Sequence, residues 1–321
     1  MTSFPSPPSA LSSAAFPLVT IIALCHNQAP FVREALNSIR SQTYPNLEVW
    51  LVDDASTDGS PAILREYAAR QPGWQLLLLT QNVGNCRAFN QAFHRSTGDF
   101  IIDFATDDVL LPGRVARQVA AFQAAASGVG VVYSNAELID EAGAPLGRHH
   151  RPDGAGGWQP RPASGWIFAE VLRRYFISTP TMMMRRACLA QLRGYDETLA
   201  YEDFDFWVRA SREWQFLYLD EVTTRKRKHP RSMSTRAYQR HDPYLASTIR
   251  VCEKALALVR TPAEGCALAT RLRWELRQAA RRHRSAEVRA LFALLRQTDR
   301  PRLLDWALLG WSRIFQAVQT R

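Results

Sequence analysis

Five short apolar or β-branched runs between Leu18 and Tyr133 are separated by four amphipathic stretches, and this alternation constrains the fold more than any other feature of the chain. Val19 to Leu24, Leu47 to Val52, Gln75 to Leu79, Phe100 to Phe104 and Val129 to Tyr133 have the length and side chains of buried strands. Helices are predicted near 30–41, 59–70, 84–96 and 112–126. Strands alternating with helices pair in parallel through crossovers, which predicts an α/β fold with a Rossmann-like, mostly parallel sheet and helices on both faces. Such sheets bind ligands beyond the carboxyl ends of their strands, so the polar residues that follow each strand are the candidate site.

Between Gly143 and Gly165 the composition turns to Gly, Pro, Arg and His without hydrophobic period, which predicts a long mobile loop over the site. A helix near Ile167 to Tyr175, an apolar segment Thr181 to Met184 and a helix from about Phe204 to Trp214 follow. From Tyr238 the pattern is helical with arginine-rich faces, broken near Pro262, near Arg284 and at Pro301. The expected organisation is therefore a flexible tail over 1–16, an α/β domain over 17–237 and a basic helical appendage over 238–321. Net charge follows that division. Residues 1–224 hold 18 basic and 23 acidic side chains, and residues 225–321 hold 22 and 7, so the overall +10 belongs to the last third. Such a block suits an anionic surface or solvated helices. The five cysteines are odd in number and form no CxxC pair, as expected of reduced thiols. The first sixteen residues contain no Lys or Arg, unlike a secretory or mitochondrial leader, and no run of eighteen apolar residues occurs. A cytoplasmic chain without a membrane span is expected.

Four polar clusters fall where the sheet predicts a site. Asp53 and Asp54 follow the second strand, where a carboxylate can accept from a base N–H or ribose hydroxyls, while Asp58 reads as a helix cap. Thr106-Asp107-Asp108 follows the fourth strand; adjacent acids repel, and a hard divalent cation, magnesium or manganese, is the natural reason to place them together. Tyr201-Glu202-Asp203-Phe204-Asp205 opens an apolar-periodic helix; Asp205 suits the helix dipole, and Glu202 or Asp203 could serve as general base. Arg225-Lys226-Arg227-Lys228-His229-Pro230-Arg231-Ser232 reads as a basic turn, either a solvated charge run or a phosphate contact, with His229 a candidate third metal ligand.

Taken in order, these residues resemble the family 2 inverting glycosyltransferases of GT-A fold. The resemblance rests on Val19-Thr20-Ile21-Ile22 with Asn27, Ser41 to Glu48, Val52 to Asp58, Asn82-Val83-Gly84 with Asn90, Gly98 to Ile101, Thr106-Asp107-Asp108, Gly194 to Glu197 and Glu202-Asp203, and it covers about residues 17–235. It implies that Asp53, Asp54, Asn82 and Gly84 bind the nucleotide, and that Asp108 with Asp107 and His229 holds a divalent cation, Mn or Mg. It further implies that Arg227 and Arg231 close on the diphosphate and that Asp203 is the catalytic base. The implied partners are a nucleotide-sugar donor, a UDP-sugar foremost, and a saccharide or lipid-linked acceptor of cell-surface polysaccharide assembly. Where many relatives carry D-x-D-D this chain has Ala105-Thr106-Asp107-Asp108, and where many carry A-R-N it has Ala88-Phe89-Asn90.

The alternatives are weaker. Thr270-Arg271-Leu272-Arg273-Trp274 imitates the Q-x-x-R-W of processive synthases with Thr for Gln and is assigned to packing. A sugar nucleotidyltransferase would carry glycines after the first strand, where Leu24-Cys25-His26-Asn27 has none. A catalytically degenerate scaffold of the same fold would have no need of Asp54, Asp108 and Asp203 together. No nucleic-acid reader motif occurs. In the appendage Leu303, Leu304, Ala307, Leu308, Trp311, Ile314, Phe315 and Val318 recur at helical spacing beside Arg300, Arg302 and Arg313. That helix either lies on an anionic membrane surface or docks on the catalytic domain or on a second copy in a homodimer.

Overall fold

The computed structural model describes residues 16–154, 157–232 and 243–319, with side chains described to Ser312. The expected tail over 1–16 falls almost entirely outside the described residues, as do the side chains of Arg313, Ile314, Phe315 and Val318. In chain order the first half is β1 (Val19–Cys25), α1 (Val32–Arg40), β2 (Leu47–Asp53), α2 (Ser60–Arg70), β3 (Gln75–Leu78), α3 (Asn85–Phe93), β4 (Phe100–Ala105), β5 (Val109–Leu110), α4 (Arg114–Ala124) and β6 (Val129–Ile139). The second half is β7 (Pro145–Arg148), β8 (Arg151–Pro152), β9 (Trp158–Gln159), α5 (Phe168–Arg173), β10 (Met183–Arg185), α6 (Arg186–Gln191), α7 (Asp203–Glu213), β11 (Gln215–Arg227), α8 (Tyr244–Leu258), α9 (Pro262–Arg281), α10 (Ser285–Thr298) and α11 (Leu303–Gln319). A turn of 3-10 helix at Thr179–Thr181 leads into β10.

The sheet order is β3-β2-β1-β4-β10-β6-β11-β5, with β7 on β6. Pairs β1–β2, β1–β4, β2–β3 and β6–β11 are parallel, as the alternation predicts, and β10, β5 and β7 enter antiparallel. Alternate residues of each strand serve two apolar layers. Ile21, Leu51, Ile102 and Val132 face α1, α2 and α4. Ile22, Val52, Ile101 and Val131 face α3, α5 and α7, and this second layer runs without interruption into α8, α9 and α10. The appendage therefore shares the core of the α/β domain. Its predicted break at Pro262 is a capping box: Thr261 Oγ1 accepts from Glu264 N, and the Glu264 carboxylate accepts from Thr261 N.

Two expectations are corrected. The 143–165 segment is not a structureless loop among the described residues, since β7 folds back on β6 and β8 pairs with β9. The basic run is not a turn from its start: Arg225 to Arg227 end the 13-residue strand β11. Lys and Arg at the end of a long strand leave no apolar alternation to read, and only the neighbouring β6 reveals it.

Candidate functional site

The carboxyl ends of β1, β2 and β4 converge on one cleft. At β2, Asp54 accepts from the backbone N–H of Val83 at 2.7 Å and of Gly84 at 3.0 Å. Gly84 takes φ +87°, a left-handed conformation that a side chain would strain, and so turns the chain into α3 with its N–H toward Asp54. Asp53 accepts from Ser56 N at 2.9 Å, and its other oxygen is buried without a hydrogen bond among the described residues. Asn82 stands exposed, 3.2 Å from the His26 ring, whose Nδ1 also lies 2.8 Å from the Asp54 carbonyl. Asp53, Asp54, Asn82 and Gly84 are thus brought together, and His26 joins them. Asp58 is not the cap expected of it, since Gly59 holds the N-cap of α2 without a side-chain cap bond; Asp58, one residue earlier, accepts from Ser60 N and Ala29 N.

At β4, Asp108 is buried and accepts from Arg227 N at 2.8 Å, while Asp107 Oδ2 lies 2.9 Å from His229 Nε2. Burial first, and then the charge of Asp107, push the Asp108 carboxyl up to about 8. Adjacent carboxylates are hard oxygen donors of the kind a divalent cation takes, and such a cation completes its shell with phosphate oxygens and water. Among the described residues no three His, Cys, Asp or Glu side chains come together as a group that could hold a metal ion, so Asp107, Asp108 and His229 do not form such a site by themselves.

Arg227 is placed differently from the expectation. Its side chain is buried and bonded to the carbonyls of Asp107, Asp140 and Glu141 and to Glu34, with Phe31 beneath the guanidinium. It braces the Asp107-Asp108 turn against β6 and α1, and no face of it is free for a diphosphate. Arg231 is exposed, with Asp58 as an electrostatic neighbour.

Strand alternation turns the neighbours of Arg227 the other way, and this is the cation the sequence reading passed over. Thr224 and Arg225 pair with Leu110 and Val109, and Lys226 follows the last of these pairs. On the same side of β11, Thr224 receives Arg114 Nη1 at 2.9 Å, and Arg114 Nη2 donates to the Met182 carbonyl at 2.9 Å. Arg114, fully buried and driven down to about 9 by that burial, thereby ties β11 to the 3-10 turn. In that turn Thr179 Oγ1 donates to Asp203 Oδ2 at 3.2 Å. The Lys226 charge acts on both acids, opposing the raised pKa of Asp108 and of Asp203. It makes no hydrogen bond or ion pair with any described residue.

Asp203 is the first residue of α7, and its Oδ1 accepts from Phe204 N at 2.6 Å. Burial raises its pKa. Glu202 beside it accepts from Asn85 at 2.6 Å and is pushed to about 8 by burial, then by Asp103 and Asp203. Asp103, unmarked in the sequence reading, is raised to about 7 by burial and accepts from Tyr195 at 3.0 Å. An acid in the interior of the apolar strand Phe100–Ala105 was the signal available for it. Asp205 does more than serve the helix dipole: it is buried between Arg209 and Lys254, each at 2.6 Å. Arg273 of the synthase-like pentapeptide is structural, holding Asp299 and Asp305.

Glycosyl transferase family 2 matches residues 20–193, more than half the chain. The chain belongs to glycosyl transferase family 2. EpsE of Bacillus subtilis, named as a glycosyltransferase, is 33% identical over 206 residues, 61% of this chain and 68% of that protein. The O-antigen biosynthesis protein RfbC of Myxococcus xanthus is 31% identical over 183 residues, 56% of this chain but only 13% of that protein. Among solved structures, S. aureus TarS 1–349 with UDP-GlcNAc superposes with TM-score 0.67 at 17% identity, over 93% of this chain and 88% of that one. The mannosyltransferase PcManGT of Pyrobaculum calidifontis, with GDP-Man and Mn2+, gives 0.56 at 22% identity, over 95% and 84%. These establish the GT-A fold. No helix among the described residues is long and apolar enough to cross a membrane.

Proposed function

We propose that this family 2 member moves one sugar from a nucleoside diphosphate donor to a hydroxyl of a saccharide or lipid-linked acceptor, with inversion at the anomeric carbon. The observation that carries this reading is the grouping of Asp108, Lys226 and Asp203: the Lys226 charge acts on both acids, and Arg114 and Thr179 tie β11, the 3-10 turn and α7 together. The loops held by Asp53 and Asp54 receive base and ribose, with Asn82 and His26 at the rim. A divalent cation, Mn or Mg, would be held by Asp107, Asp108 and His229 together with oxygens of the donor, and would supply Lewis-acid stabilisation of the departing diphosphate. Lys226 contributes the second positive charge there, in the role the sequence reading gave to Arg227.

Asp203 is the base. Burial raises the pKa of Glu202, Asp103 and Asp203 alike, which suits a proton acceptor, and Asp203 is the one that opens α7 against the 3-10 turn, while Glu202 is tied to Asn85 and Asp103 to Tyr195. Asp203 takes the proton of the acceptor hydroxyl, the oxygen bonds to the anomeric carbon, and the bond from that carbon to the diphosphate oxygen breaks with its electron pair. A nucleoside diphosphate leaves. The UDP-GlcNAc and GDP-Man complexes of the structural neighbours support a nucleotide-sugar donor, and a UDP-sugar is the first to test. The O-antigen protein among the relatives supports a setting in surface polysaccharide assembly.

Thermal-shift binding of UDP, GDP, dTDP and CMP, with and without manganese, tests the reading on the wild type and on Asp108→Ala. One diphosphate should raise the midpoint only with metal, and Asp108→Ala should abolish the gain. Failure of every nucleotide under every metal condition would leave a degenerate scaffold as the better reading.

A further inference from the structure

The helix α11 presents its wrong side to water. It packs on α9 and α10 through Asp305, Leu309 and Ser312, all buried, and the rings of Trp306 and Trp311 reach Phe292 and His283 at 4.7 and 5.0 Å while staying about half exposed. At 3.6 residues per turn, Leu303, Leu304, Trp306, Ala307, Gly310 and Trp311 fall together on the opposite arc. All six are exposed, the four large ones by 91%, 56%, 51% and 44% in that order. That arc carries no charged or hydrogen-bonding side chain except the two indole N–H groups. A surface helix normally reverses this pattern.

The charge around the arc says what covers it. Residues 281–312 contain seven arginines and three acids. Each acid is already paired within the fold: Glu287 with Arg284, and Asp299 and Asp305 with Arg273. Arg300 and Arg302, directly before the helix, are left exposed. A second copy docked symmetrically on this face would set the same cations against one another. A partner with an apolar interior and an anionic surface meets both requirements.

We infer that α11 is an interfacial membrane anchor, seated in the headgroup region of an anionic bilayer with Leu303, Leu304, Trp306 and Trp311 inserted and the flanking arginines on lipid phosphates. Arg273, which clamps the start of α11, lies on α9 two residues after Arg271, whose guanidinium sits 5.1 Å from the ring of Phe204, the neighbour of Asp203. One rigid helix thus links the anchor to the cleft and fixes how the site faces the bilayer, the geometry a lipid-linked acceptor needs. The anchoring itself is independent of the transfer reaction.

Sedimentation of the full chain with phosphatidylcholine vesicles, with and without phosphatidylglycerol, tests it. The wild type should pellet only with the anionic vesicles and be released by salt. Arg300→Gln and Arg302→Gln should each weaken binding about fivefold, from roughly 1 kcal/mol per charge at an anionic surface. Leu303→Glu with Leu304→Glu should abolish binding while leaving the thermal midpoint in place, because both side chains are exposed. A wild type that stays in the supernatant, or a double variant that still pellets, overturns the inference. So does a dimer in sedimentation equilibrium that the same double variant dissociates while no vesicle is bound.

Discussion

Lys226→Met separates a diphosphate contact from a structural role. Lys226 follows the last β5–β11 pair, Arg225 with Val109, and has no hydrogen-bond partner among the described residues, so its removal breaks no hydrogen bond there, although it takes a positive charge away from Asp108 and Asp203. The missing ammonium would cost a charge-assisted hydrogen bond to the donor, about 1.5–3 kcal/mol. That is about a 10- to 150-fold loss in affinity. The loss should fall on the diphosphate and not on the nucleoside. Calorimetry with the nucleoside, its monophosphate and its diphosphate, all with manganese, gives the ratio directly: the preference for diphosphate over nucleoside should collapse in Lys226→Met and recover in Lys226→Arg. If all three ligands weaken alike, or the preference survives, Lys226 does not engage the diphosphate, whereas a wild type that binds none of them refutes the donor reading instead.

Asp203→Asn should keep donor binding and lower kcat roughly 10²–10⁴-fold, measured by release of nucleoside diphosphate; near-normal turnover removes Asp203 as the base. Arg227→Met should destabilise the fold by about 3 kcal/mol, read from denaturant midpoints, because buried carbonyls of Asp107, Asp140 and Glu141 lose their donor at about 1–3 kcal/mol each. Its metal affinity should fall as well, since the Asp107-Asp108 turn loses its brace. Stability without metal should decline as pH rises from about 5 to 8. Asp103, Asp108 and Glu202 are raised to about 7, 8 and 8, so the folded state holds more protons than the unfolded chain across that window. The slope is at most about 1.4 kcal/mol per pH unit for each group. Manganese should flatten the part due to Asp108, and a thermal midpoint rising with pH would contradict the burial of these acids.

The order of elements from β1 to β6 was legible in the sequence because each strand there is a short apolar run whose burial is local to the run. The same rule pointed to Asp53, Asp54, Asp107, Asp108 and Asp203, since acids at a strand or helix end stand out against their neighbours. What the sequence could not decide was direction. Arg227 and Lys226 are adjacent cations of similar length, and only pairing of β11 with β5 and β6 sends one into the protein and the other toward the cleft. Asp103 reads as an isolated acid until Tyr195 and Glu202, some hundred residues away, close over it. The apolar spacing of the last helix was equally plain, yet the sequence left lipid and protein as equal partners for it. Packing on α9 and α10 buried Asp305 and turned Leu303 and Leu304 outward, with the tryptophans half exposed beside them. Composition and periodicity act along the chain and name the elements, while the side of a strand or helix that meets water is set by contacts between segments far apart in sequence.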